Sequence, residues 1–238
     1  MITGAQFPPI TPLRVDVQSA VYVLVVLVAV PIGAVRSKAI VEKTAERRPL
    51  RRADILVRAL LVQLLLFAIS FFVARSQRMA LWSWTGLRAP TIAIALAALA
   101  VVLGVGAISW QLRTPDERRS LWMRTLLPRT SLQWALWFAL SLAAGVAEET
   151  AYRGVLVVLL ASVTASFVAA VLLSAAAFAI AHYPQGAKSM GWVFALGLVM
   201  QAVVSATGTL YVAMGVHAVY DVTAALRAKN EYQEDTTD

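Results

Sequence analysis

The chain contains two histidines, His182 and His217, and both stand in apolar runs that also hold Glu148, Glu149, Arg153 and Asp221. An ionisable side chain at membrane depth is costly, and the polar stretches of this sequence offered cheaper places for every one of them. These residue types can take a proton from water, orient that water, and stabilise charge on a reacting carbonyl. The chain has no cysteine, which excludes thiolate catalysis, disulfides and Cys-ligated metal centres. It has neither a serine nucleophile elbow nor a His-Glu-x-x-His pair, so a hydrolase built on this set uses activated water.

The spacings are those of helix faces. Glu149 and Arg153 are four apart with the acid first, the favourable order for an intrahelical ion pair. Glu148 is turned about 100° from Glu149 and is the poorer partner. The simplest division has Arg153 neutralise Glu149 while Glu148 points into the bundle; the bland alternative is one buried ion cluster of all three. Phe178 and His182 share a face, as do His217 and Asp221. Asp221 could accept a hydrogen bond from the His217 ring, act as a second metal ligand, or face a substrate. A lone helical histidine most often makes an interhelical hydrogen bond, but two beside a glutamate pair point to chemistry. Tyr183-Pro184 ends the span that carries His182.

The elements that must position these residues are membrane helices. Of 238 residues, 60% are hydrophobic and 14% charged, and the mean hydropathy is +0.72. Soluble domains average about 45–50% apolar and about 25% charged. Disorder, fibres and solenoids are excluded, and no period-two alternation suggests a barrel. The expected fold is all-α, a polytopic transmembrane bundle of about seven helices around a polar intramembrane site.

Apolar runs fall near 17–35, 55–74, 91–110, 131–160, 161–181, 191–206 and 209–226. The first lacks a cleavage site and reads as a span rather than a signal peptide. Arg58 snorkels to the headgroups, while Trp82 and Trp84 anchor an interface. The fourth run is too long for a straight span and is expected to tilt, kink or break near Gly145 or Gly154. The organisation expected is N-terminal helices and basic loops over 1–130, a core over 131–226 and a solvated acidic tail over 227–238. The formal charge of +8 sits between the runs, where orientation and anionic headgroups explain it; nucleic acid is not an expected partner.

Three stretches resemble one family. Glu148-Glu149-Thr-Ala-Tyr-Arg153, Phe178-Ala-Ile-Ala-His182 and His217-Ala-Val-Tyr-Asp221 are similar, in order and separation, to the EExxxR, FxxxH and HxxxN/D motifs of the CAAX protease and bacteriocin-processing (CPBP, or Abi) membrane proteins. The resemblance covers the C-terminal half. It implies an intramembrane endopeptidase related to the type II prenyl-protein endopeptidase, acting on a membrane-associated peptide or protein within a bacterial or archaeal cell membrane. It further implies that Glu148 activates water and His182 helps to hold it, that His217 and Asp221 stabilise the oxyanion, and that Glu149, Arg153 and Phe178 support them. Asp221 stands where eukaryotic members carry asparagine. No cofactor is expected. The alternative is a zinc ion on His182, His217 and either Asp221 or Glu148; the rival functions are a non-catalytic scaffold and a proton-coupled transporter.

Seven Lys and Arg in 36–52 and five in 111–130 put those loops in the cytoplasm and the N-terminus outside. Glu148 then lies about 25 Å along a straight span from Ser131. The expected remedy is a helix that begins along the interface near Leu121 to Trp134 and breaks at Gly145.

Overall fold

The structure is a computed structural model describing residues 16–47, 51–83, 86 and 88–234. The proline-containing N-terminal stretch, the Trp84 anchor and the acidic residues 235–238 lie outside the described residues. Helices account for nearly all the rest, with no strand among the described residues. In chain order they are α1 (Val17–Ala45), α2 (Arg52–Ser76), α3 (Ala89–Gln111), the short α4 (Pro115–Arg118) and α5 (Leu121–Leu126), α6 (Ser131–Thr164), α7 (Phe167–Ala181), α8 (Ala187–Thr207) and α9 (Leu210–Glu234).

The starts and stops follow local chemistry. The Asp16 carboxylate accepts from the Ser19 amide at the head of α1, and a reciprocal Thr130–Gln133 capping box opens α6. Ser166 caps α7, following Ala165 in the left-handed region at φ 51°. Gly208, at φ 69°, ends α8.

Four helices, α1, α2, α3 and α8, are each long and apolar enough to cross a membrane; α4–α6, bent by 95°, counts as a fifth if taken as one span. The helical bundle is as expected, whereas among the described residues length and composition do not reach seven spans. At 15 residues, α7 is about 22 Å long, short of a hydrocarbon core of about 30 Å. The bundle's outer face is largely apolar, with Leu24, Leu61, Leu65, Phe72, Leu96 and Val168 exposed, while Glu149 and Arg153 are buried.

Three expectations are corrected. The basic segment after the first run is not a loop at its start, because α1 continues through Arg36, Lys38 and Lys43 to Ala45. The segment after Arg227 stays helical to Glu234. The helix does not break at Gly145. A Cβ there would lie 2.7 Å from the Met214 carbonyl oxygen and 3.3 Å from the Ala218 Cβ, so this glycine serves the close approach of α9. The irregularity comes later, as a π-helical stretch at Glu149–Leu156 whose eight residues are all buried. The sharp turn lies ahead of Ser131 instead, between α4–α5 and α6.

Helix α6 is the central element, packed on α2, α7 and α9. Ala147, Ala151, Tyr152, Val155 and Leu156 share a core with Tyr22, Leu66, Val73 and Phe178. Two carbonyls of the π stretch are held from neighbouring helices: the Tyr22 hydroxyl donates to Ala151 O at 3.2 Å and Ser174 to Tyr152 O at 2.8 Å. Such bonds suit an apolar bundle, where an unsatisfied backbone group is costly.

Gly145→Ala is expected to destabilise the α6–α9 contact by about 1–3 kcal/mol, since backbone cannot yield as a side chain does. Gly104→Ala, where nothing lies within 4 Å, should gain about 0.5–1 kcal/mol from helix propensity. Opposite shifts in detergent melting temperature check the pair.

Candidate active site

The site forms where α6 meets α9. Glu149 is fully buried, and its Oε1 accepts two hydrogen bonds: from Arg153 Nη1 at 3.0 Å and from His217 Nδ1 at 2.7 Å. The first bond is local and needs only helix geometry. The second crosses between helices and fixes the ring, so Nδ1 carries a proton and Nε2 is directed elsewhere. Nε2 lies 3.6 Å from Glu148 Oε2 and 3.7 Å from Asp221 Oδ2, both beyond an ordinary N–H···O distance. Glu149 therefore orients the His217 ring, and Asp221 does not.

Glu148 points away from Arg153 into the bundle and is largely buried. The residue missing from the sequence reading is Gln63 of α2, whose Nε2 donates to Glu148 Oε1 at 2.6 Å. The available signal was a lone amide within Leu60-Leu-Val-Gln63-Leu-Leu-Leu, a polar residue in an apolar run that carries no charge to draw notice. Trp137 was missed too; its indole donates to Asp221 O at 3.3 Å and ties α6 to the α9 backbone.

His182 follows the last residue of α7 and is half-buried. Its Nδ1 lies 2.8 Å from Phe178 O; a carbonyl only accepts, so Nδ1 donates and Nε2 is left as an acceptor. Phe178 is the hub of a ring cluster. It packs against His182 at 4.6 Å, Tyr152 at 5.0 Å and His217 at 6.1 Å, and the Arg153 guanidinium sits over its face at 4.2 Å.

All seven residues singled out in the sequence line one cavity of about 350 Å³. One end of the cavity is lined by Ile55, Arg113 and Gln185, near helix ends, together with Arg227 of α9. At that end Arg113 donates to Ser189 Oγ at 2.7 Å and lies over Trp110 at 5.6 Å. Burial holds its guanidinium below the usual arginine range. Among the described residues, no group of three or more His, Asp or Glu side chains is arranged to hold a metal ion.

Residues 130–223 match the family model for type II CAAX prenyl endopeptidase Rce1-like proteins. The match identifies this segment as Rce1-like. It starts at the Thr130 cap of α6, ends two residues past Asp221, and takes in all seven residues. No curated protein and no solved structure matches the chain. The long apolar helices make this an integral membrane protein, and its segment 130–223 is similar to a family of peptide hydrolases.

Glu149→Gln in the Rce1-like segment is expected to lower stability by about 3–5 kcal/mol, because Arg153 and His217 lose the charge they share in a buried site. Denaturation in detergent checks this.

Proposed function

We propose that the protein is an intramembrane endopeptidase in which Glu148 activates the attacking water without a resident metal. The observation that carries this reading is the split between the two glutamates. Glu149 is occupied by Arg153 and His217, while Glu148 turns its Oε2 to the cavity beside His217 Nε2. One carboxylate holds the structure and the other remains to accept a proton.

Glu148 takes a proton as the water oxygen attacks the scissile carbonyl carbon, with His182 Nε2 accepting the water's second hydrogen. The carbonyl oxygen becomes the oxyanion of a tetrahedral intermediate, and a proton on His217 Nε2 donates to it. Asp221 adds a second donor only in its acid form, since an ionised carboxylate would repel the oxyanion. Glu148 then delivers its proton to the departing amine as the C–N bond breaks. The substrate is a membrane-associated peptide or protein that enters by the end lined with Arg113 and Arg227.

Glu148→Gln should abolish turnover on a membrane peptide substrate and leave detergent melting unchanged, and a chelator should leave wild-type turnover intact. Full activity in Glu148→Gln refutes the assignment of the base; stoichiometric zinc lost in His217→Ala refutes the metal-free route.

The same reading puts the substrate entrance in the cytoplasm. Arg52 Nε donates to Arg124 O and Lys38 lies over Tyr183, so both basic segments gather at the end where Tyr183 follows α7. A positive end faces inward. With no native cysteine, single cysteines at Ser37 and Ser120 should be protected from an impermeant thiol reagent in intact cells, and one at Ser76 should label.

A further inference from the structure

Gln63 lies outside the Rce1-like segment, near the middle of α2, 11 residues after Arg52 and 13 before Ser76. Its neighbours Leu61, Val62, Leu64 and Leu65 are exposed on the apolar outer face, while Gln63 lines the cavity. An amide at this position is costly unless it is bonded. Its Nε2 is bonded, at 2.6 Å to Glu148 Oε1. Its Oε1 is buried and has no hydrogen-bond partner, which leaves a half-satisfied amide against the carboxyl assigned as base.

The chemistry of an amide explains both halves. An ionised carboxylate only accepts, so it requires the N–H end of Gln63; a carboxylic acid can donate its proton, which the carbonyl end accepts. Glutamine therefore bonds a carboxyl in either protonation state by turning over about its terminal torsion. A leucine or methionine bonds neither state, and an ionised glutamate would oppose the carboxylate. Glu148 needs such a partner because its other oxygen must stay directed at the cavity while its charge comes and goes.

We propose that Gln63 is a positioning residue for Glu148, holding its Oε1 through both protonation states of the catalytic cycle. This rests on Glu148 being the base. Gln63 acts through the orientation of the Glu148 Oε2, so its loss is expected in turnover rather than in substrate binding.

The test compares full-length wild type with Gln63→Met, which keeps length and apolar packing, and Gln63→Glu, which keeps shape but loses the amide. Each is assayed for kcat, KM and detergent melting on the same membrane peptide. The expected result is a kcat lowered roughly 10- to 100-fold in both, with KM within about twofold and the Gln63→Met melting temperature unchanged. Wild-type kcat per folded molecule in either variant overturns the proposal. So does a loss confined to melting temperature or KM, which assigns Gln63 to packing or to the substrate path. If Glu148→Gln is inactive and Gln63→Met is fully active, the base stands and only this inference fails. If Glu148→Gln is active, the base assignment itself fails.

Discussion

A single buried oxygen, Glu149 Oε1, receives both the Arg153 guanidinium and the His217 ring. A carboxylate removed from water this completely is tolerated only when charge and hydrogen bonds meet it in the fold. Arg153 comes from the same helix, but His217 must be brought from α9. That demand sets the distance between two helices, and Gly145 permits it by presenting bare backbone to Met214 O one turn before the glutamates. The orientation of His217 and the direction of its Nε2 follow from this one pairing.

The π-helical stretch begins at the same glutamate. A wider turn changes which residues share a face downstream and so rotates Arg153 and Tyr152 relative to a regular α-helix. Phe178 packs between the guanidinium and the His182 ring. The aromatic position of the second motif is therefore a wedge: it covers the cation on one side and fixes an imidazole on the other.

The architecture is inside-out relative to a soluble protein. The outer helix faces are largely apolar, so the interior is specified by small residues and hydrogen bonds rather than by hydrophobic contrast. The Tyr22 and Ser174 hydroxyls on the α6 carbonyls are examples, as is Gln63 on Glu148.

Much of the site was legible in the sequence because it repeats at helical spacing. Glu149 with Arg153, Phe178 with His182, and His217 with Asp221 are each four residues apart, a spacing that an α-helix puts on one face and that still brings Glu149 and Arg153 together in the π-helical stretch. The apolar runs likewise determined that the elements are helices. What joins separate helices was not legible. His217 finds Glu149 across 68 residues and Gln63 finds Glu148 across 85, and no local period encodes which faces meet. The same blindness turned Gly145 into an expected break, because a glycine signals either a weak point or a close approach until its neighbour is known. Spacing along one helix is set by covalent geometry and is readable from the chain; pairing between helices is set by packing in three dimensions, and only the folded bundle decides it.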